Sequence, residues 1–213
     1  MPTILTFGDS NTHGTLPIDD LDNAMRLGPT ARWPGVALGE LGPDWTLIEE
    51  GLPGRTTRHA DPDMGTHMDG RLGLHTALES HGPIDFMTLM LGTNDLKMQF
   101  NMSARAIAED VGMLMDIALS EEMQKRHDGF DILLICPPPV LEAGVLADMF
   151  AGGRAKSLQL PKPYAEVAKI RELAILNAGD FIESSPLDGV HFEPDMHRKL
   201  GKAVAKAVLR MAG

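Results

Sequence analysis

The sequence contains a single cysteine, Cys136, in 213 residues, so no internal disulfide can form. Basic residues are also scarce: 19 Lys and Arg against 30 Asp and Glu give a formal net charge of −11, without any basic run. Binding to nucleic acid or to an anionic membrane surface depends largely on Lys and Arg, so we expect neither. The apolar stretch at residues 3–7 lacks the length and the basic flank of a signal peptide or a membrane span. We therefore expect a cytoplasmic protein.

The histidines are numerous but show no compact ligand pair. His59, His67, His75 and His81 are too far apart in the sequence to resemble a pair such as H-x-x-x-H. We therefore expect neither a metal ion nor a cofactor.

The chain does contain an alternation of apolar, strand-like runs with amphipathic helical segments. The predicted strands are residues 3–7, 46–50, 84–91, 130–136 and 180–184. The predicted helices are residues 32–42, 71–82, 103–126 with Ser103 as N-cap, 161–179 and 194–213. Such alternation predicts a parallel sheet covered by helices on both faces. We predict an α/β fold: a three-layer α/β/α sandwich with a five-stranded parallel sheet of flavodoxin-like order 2-1-3-4-5, forming a single domain over residues 1–213.

Small polar motifs follow the strands, at the edge of a parallel sheet where ligands bind. They are "GDSN" with Ser10, "GLPGRTTR" with Gly54 and Arg55, "GTND" with Asn94 and Asp95, and "DGVHF" with Asp188 and His191. Taken singly, each motif is more often a turn or a helix cap than a site. Because every one stands directly behind a strand, together they predict a nucleophile, oxyanion donors, a base and an orienting carboxylate on one rim.

These four motifs resemble the conserved blocks of the SGNH, or GDSL-type, serine hydrolases. The family's Ser, Gly, Asn and His correspond to Ser10, Gly54, Asn94 and His191, and the blocks span nearly the whole chain. The stretches "EEGLPGRTT" and "MLGTNDLK" are more similar to the intracellular aryl esterase and acyltransferase branch. That resemblance implies short acyl chains, transfer to alcohols or peroxide, and a homo-oligomer. One departure is Asn11, where the family often has leucine, and we expect it to alter the pocket floor.

The resemblance also implies an acyl-enzyme mechanism. The Ser10 hydroxyl is a weak nucleophile and needs an adjacent base. His191 would take its proton and return it to the leaving alcohol, while Asp188 would accept a hydrogen bond from the other imidazole nitrogen. The backbone N–H groups of Ser10 and Gly54 and the side-chain amide of Asn94 are the candidate oxyanion donors.

We therefore expect a serine esterase acting on small-molecule carboxylic esters of acetyl size, aryl esters included, with acyl transfer to alcohols or peroxide as a second outcome. The same triad would serve a carbohydrate deacetylase, a thioesterase or a lysophospholipase. A flavodoxin-like module that binds phosphate or flavin is the alternative from another class. Such a module would have a glycine-rich phosphate-binding loop after its first strand, which this sequence lacks. It would also have no need of Ser, His and Asp together.

Other features near the rim are expected to be structural. We expect Asp9 to hold the nucleophile loop through backbone N–H groups. We expect Arg55, Arg58 and Lys97 to pair with nearby acids, and Cys136 to be buried and inert. Two connections, 14–31 and 137–160, are longer than ordinary loops. The apolar residues of 137–153 either pack on the chain's own core or form the interface of the expected homo-oligomer.

Overall fold

The computed structural model describes residues 1–213 and places five parallel strands in one sheet. The strands are β1 (Thr3–Gly8), β2 (Thr46–Gly51), β3 (Phe86–Met90), β4 (Asp131–Cys136) and β5 (Ala174–Asn177). Their order is β2-β1-β3-β4-β5, which confirms the predicted α/β/α fold class and strand order. Gly8 lies beside Gly51 and Met90, so β1, β2 and β3 end at the same level and present their following loops to one rim.

Eight helices surround the sheet. They are α1 (Ser10–His13), α2 (Trp33–Leu41), α3 (Gly70–Ser80), α4 (Ala104–Ala118), α5 (Glu121–Arg126), α6 (Gly153–Ser157), α7 (Pro161–Ile170) and α8 (Pro194–Met211). Apolar residues of α3, α4 and α7 pack on one face of the sheet, and those of α2 and α8 pack on the other. None of these helices combines the length and the apolar character that crossing a bilayer would require.

The two-residue period of the strands divides the core between these layers. In β4, Ile132 and Leu134 belong to the core cluster beneath α4 and α7, whereas Leu133 and Ile135 belong to the cluster beneath α2 and α8. Successive side chains of a strand point to opposite faces, so a strand buried on both faces is apolar at nearly every position. This explains why the apolar runs identified the central strands correctly.

The single helix predicted over residues 103–126 is wrong, because the chain forms two helices there. The Ser103 side chain accepts the N–H of Ala106, as predicted for an N-cap. The helix then ends at Ala118, and Ser120 caps a second helix by accepting the N–H of Met123. A serine can cap a new helix as readily as it can interrupt one, and periodicity alone did not distinguish the two.

The helix predicted over 161–179 and the strand predicted over 180–184 are also wrong. Helix α7 stops at Ile170, and Glu172 adopts a left-handed conformation with φ of 55°. The following residues form β5, in which Ala174 lies beside Leu133 of β4. The sequence "ELAILNAG" suits a helix by propensity, but pairing with the edge of the sheet overrides that weak preference.

The long connection 137–160 folds back largely on the chain's own core. It contains α6 and a 3₁₀ turn at Gly144–Leu146. Val140, Leu146 and Phe150 are buried in the same cluster as β4, whereas Val145 and Met149 are about 40% exposed. Self-packing therefore accounts for the three buried residues, and the expected homo-oligomer stays a prediction.

Candidate active site

Ser10 stands at the first position of α1, directly beyond the carboxyl end of β1. Asp9 caps this short helix, and its carboxylate accepts the backbone N–H of Asn11 at 2.9 Å, as expected from the sequence. Gly8 permits the tight turn, because a Cβ there would lie 2.1 Å from the Thr12 hydroxyl oxygen. The turn therefore aims Ser10 away from the core and toward the rim of the sheet, where it is 5% exposed.

Ser10, His191 and Asp188 form a continuous hydrogen-bonded chain. The Ser10 Oγ lies 3.0 Å from His191 Nε2, and His191 Nδ1 lies 2.7 Å from Asp188 Oδ2. His191 and Asp188 come from the connection after β5, more than 170 residues after Ser10. The structure thus places the three predicted triad residues together with the spacing that proton transfer requires.

The Asp188 carboxylate is fully buried and saturated with donors. Its Oδ1 accepts the backbone N–H groups of Val190 and His191, and its Oδ2 accepts the N–H of Ile18. Burial alone would raise the pKa of Asp188, but the hydrogen bond from the His191 ring and those from the backbone outweigh it, so that the pKa is lowered. The ionised carboxylate holds the proton on His191 Nδ1 and leaves Nε2 to accept the proton of Ser10.

The three candidate oxyanion donors lie on the loops that follow β1, β2 and β3. The N–H groups of Ser10 and Gly54 donate to no other group of the protein. The Asn94 amide donates one hydrogen to the Arg55 carbonyl at 3.0 Å, which places its side chain against the Gly54 loop and leaves a second N–H. Gly54 has a φ of 86°, a conformation that side chains disfavour. These groups can offer the fixed donors that a tetrahedral oxyanion requires.

Two buried carboxyl groups brace these loops without taking part in the triad. Asp95 accepts both the backbone N–H and the hydroxyl of Thr57, which ties the turn of Asn94 to the Gly54 loop. Burial raises the pKa of Asp95 to about 6 against the lowering effect of Thr57, and burial likewise raises the pKa of Asp9 to about 6. Both groups are therefore close to neutral in acidic solution.

The expected ion pair of Arg55 is not formed. Its guanidinium instead donates to the carbonyl oxygens of Gly8 and Glu50 and lies 4.1 Å from the ring centre of Phe7. Burial lowers the pKa of Arg55 to about 10. Arg55 therefore joins the ends of β1 and β2, and its bonds to backbone carbonyls leave no sequence signal.

The other two basic residues do pair with acids, as expected. Arg58 lies 3.3 Å from Asp110, and Lys97 lies 3.0 Å from Asp61 in a buried pair. Cys136 is buried, and burial raises the pKa of its thiol to about 12, so it is an inert core residue. No three His, Cys, Asp or Glu side chains are grouped so as to hold a metal ion.

Met64 is a site residue that sequence reasoning missed. A Cβ built on Gly54 would lie 2.5 Å from the Met64 sulfur, so the thioether covers the candidate oxyanion glycine. Asp61 holds the turn that carries it, because its carboxylate accepts the N–H of Met64 at 3.1 Å. Only the folding of residues 61–65 onto the loop after β2 brings Met64 there, and no motif marks it.

The chain is similar to known proteins over nearly its whole length. Residues 6–199 match the model of the GDSL-like Lipase/Acylhydrolase family. The aryl esterase of M. smegmatis is 33% identical, with 99% of each chain covered and a TM-score of 0.92. Est24, a carbohydrate acetylesterase from Sinorhizobium meliloti, is 32% identical over 99% of this chain and 100% of its own, with a TM-score of 0.93. A lipase/acylhydrolase from Enterococcus faecalis, at 19% identity and a TM-score of 0.70, shares the fold. No curated protein sequence matches this chain.

Proposed function

The chain belongs to the GDSL-like lipase/acylhydrolase family and is an ester hydrolase of the SGNH type. From this premise we propose that it cleaves acetyl-sized carboxylic esters, aryl esters included, through an acyl-enzyme on Ser10. The observation that carries the proposal is the contact of 3.0 Å between Ser10 Oγ and His191 Nε2. That contact gives the serine the base without which its hydroxyl is a poor nucleophile.

In the proposed first half-reaction, His191 Nε2 takes the Ser10 proton as Oγ attacks the ester carbonyl carbon. The carbonyl oxygen becomes an oxyanion, which the N–H groups of Ser10, Gly54 and Asn94 stabilise. When the tetrahedral intermediate collapses, the bond to the alcohol oxygen breaks and His191 returns the proton to the leaving alcohol. Asp188 stabilises the imidazolium throughout without taking the proton. The product that remains is acylated Ser10.

In the second half-reaction, His191 takes a proton from a water molecule as the water oxygen attacks the acyl carbon. When this second tetrahedral intermediate collapses, the bond from the acyl carbon to Ser10 Oγ breaks, His191 returns the proton to Oγ, and the carboxylic acid leaves. An alcohol or a peroxide that takes the place of water would accept the acyl group instead. We propose both outcomes, because the resemblance to the aryl esterase and acyltransferase branch implies them. Location in the cytoplasm and assembly into a homo-oligomer stay predictions.

The proposed preference for a short acyl group is supported by the Met64 side chain, which lies against Gly54. Met64 occupies the space beside the oxyanion glycine, and the turn that carries it is held by the buried pair of Lys97 and Asp61. Because this turn keeps Met64 beside Gly54, we expect the thioether to reduce the room for an acyl chain. This position supports the proposed preference for acyl groups near acetyl size.

A carbohydrate deacetylase is the second candidate, favoured by the similarity to a carbohydrate acetylesterase from Sinorhizobium meliloti. The triad would be the same, and only the alcohol side of the ester would differ. Comparing kcat/KM for an aryl acetate and an acetylated sugar distinguishes the two. A higher kcat/KM for the acetylated sugar would make carbohydrate esters, rather than aryl esters, the proposed substrates and would leave the proposed mechanism unchanged.

The test of the proposed mechanism is labelling by an organophosphate ester, followed by intact mass measurement and peptide mapping. We expect one adduct per chain, on Ser10, and loss of esterase activity in proportion to labelling. Ser10→Ala should take up no label and should lose ester hydrolysis while keeping its melting temperature. An active protein that is not labelled at Ser10 would overturn the proposal.

A further inference from the structure

The two segments that carry the catalytic groups are joined by a buried side chain outside the triad. The Asn11 amide nitrogen donates to the carbonyl oxygen of Val190 at 3.1 Å, across 179 positions of sequence. Asn11 directly follows Ser10 and is 1% exposed, and Val190 directly precedes His191. The bond therefore connects the residue after the nucleophile to the peptide group that leads into the base.

Three hydrogen bonds in all link residues 9–18 to the loop at 185–192. One is the reacting contact of Ser10 with His191, and a second joins the Ile18 N–H to Asp188. The contact of Ser10 with His191 must break and form again in each turnover, and the bond of Ile18 holds the carboxylate. Of these three, only the bond of Asn11 joins the segment of the nucleophile directly to the backbone that precedes the base.

From this geometry we propose that Asn11 is a positioning residue, which sets the distance between Ser10 and His191 through the Val190 carbonyl. The inference rests on the proposed esterase function. A leucine at this position, which has no polar atom in its side chain, could not donate this bond.

The alternative is that Asn11 only satisfies a buried carbonyl and contributes to stability. The Asn11 Oδ1 argues against this, since it is buried and has no hydrogen-bond partner in the protein. A buried polar atom without a partner is unfavourable, and an apolar side chain would avoid the penalty. Such local costs are expected where function, rather than stability, determines the residue.

The experiment compares Asn11→Leu and Asn11→Asp with Thr12→Val as a matched control. Asn11→Leu removes the donor to Val190 altogether. Asn11→Asp is nearly isosteric with asparagine and removes the donor when its carboxyl group is ionised, so the assays are run at alkaline pH. Thr12 lies next to Asn11 in the same buried turn, but its hydroxyl has no hydrogen-bond partner, so valine removes no bond. Each protein is titrated with an organophosphate, so that turnover of an aryl acetate is expressed per reactive Ser10.

We expect both variants of Asn11 to lower kcat per titrated site by about 10- to 100-fold, because misplacement of reacting groups by a fraction of an ångström to 1 Å has effects of this size. KM should change less than about threefold, and organophosphate labelling should slow in parallel with kcat. Thr12→Val should retain the parent's kcat. A residue needed only for stability would instead reduce the number of titratable sites and the melting temperature and leave kcat per site unchanged.

The positioning role is overturned if kcat per site is unchanged in Asn11→Leu and Asn11→Asp, or if neither variant folds, since Asn11 would then serve folding alone. Ser10→Ala, assayed beside them, separates this result from a failure of the proposed function. An inactive Ser10→Ala with an unaffected Asn11→Leu would remove only the inference. An active Ser10→Ala would remove the esterase mechanism itself.

Discussion

The carboxylate of Asp188 accepts the backbone N–H of Ile18 at 2.9 Å, across 170 positions of sequence. The long connection at residues 14–31, singled out in the sequence by its length alone, is therefore attached directly to the triad. Ile18 is itself buried, so the donor is held in place by packing. The connection after β1 thus supplies both the nucleophile and part of the cage around the orienting carboxylate.

Asp188→Asn should lower kcat by about 10⁴-fold, as in other Ser-His-Asp enzymes. Each carboxylate oxygen accepts N–H groups, so an amide nitrogen would face donors in either orientation and could not hold the proton on His191 Nδ1. Steady-state kinetics with an aryl acetate measures the change. Asp180→Asn, an exposed carboxylate outside the site, is the control. A loss of less than tenfold would remove Asp188 from the triad.

Asn94→Ala should lower kcat about 10²- to 10³-fold with little change in KM, since the amide would act on charge that develops only in the transition state. Kinetics with acetyl and propionyl aryl esters measures the split. The exposed Asn23→Ala, in the connection 14–31, should behave as the parent protein. If KM alone rises in Asn94→Ala, the amide binds ground-state substrate and is not an oxyanion donor.

Met64→Ala should widen the site beside Gly54 and shift preference toward longer acyl chains. We expect the ratio of kcat/KM for a butyryl ester to that for an acetyl ester to rise about tenfold, the effect of a methylene or two in an apolar pocket. Met113→Ala is the matched control, because both methionines are 44% exposed, and Met113 lies on α4, where its sulfur contacts Arg58 at 3.2 Å rather than Gly54. An unchanged ratio would mean that Met64 does not limit acyl length.

The buried His197 should make the protein less stable in acid. Its Nδ1 accepts the backbone N–H of Trp33 at 3.2 Å, and burial, with a smaller contribution from His191, lowers its pKa from 6.5 to about 4. Between these values the unfolded chain binds a proton that the folded chain does not. The free energy of unfolding should therefore fall as pH drops from about 6.5 to about 4, by about 3 kcal/mol in all from this residue.

Urea unfolding of the parent protein and of His197→Asn, at pH 7 and pH 4.5, measures this contribution. Asparagine can still accept the Trp33 N–H but does not titrate. The raised pKa values of Asp9 and Asp95 act in the opposite direction over this range, since they favour the folded state in acid, so the difference between the two proteins is the relevant quantity. The same pH dependence in both proteins would contradict the assignment.

Segments whose conformation depends on their own sequence pattern were predicted correctly. Segments whose conformation depends on pairing with a strand far away in the sequence were not. The apolar runs of β1, β3 and β4 are buried on both faces, so their composition identified them without knowledge of the fold. Strand β5 has four residues at the edge of the sheet, and its sequence suits a helix equally well. Its conformation is set by hydrogen bonds to β4, which no local window contains.

For the candidate site, the sequence by itself determined the residue types and the places of Ser10, Gly54 and Asn94 behind their strands, whereas Asp188 and His191 lie well beyond the end of β5 at Asn177. Ser10, Gly54, Asn94, Asp188 and His191 could be chosen because parallel strands deliver their following loops to one rim. Only the tertiary structure decided the contacts between segments far apart in sequence: Asn11 with Val190, and Met64 over Gly54. A motif gives the residue types of one segment only. The distances between segments across the rim depend on how the loops pack against one another, and the proposed chemistry depends on those distances.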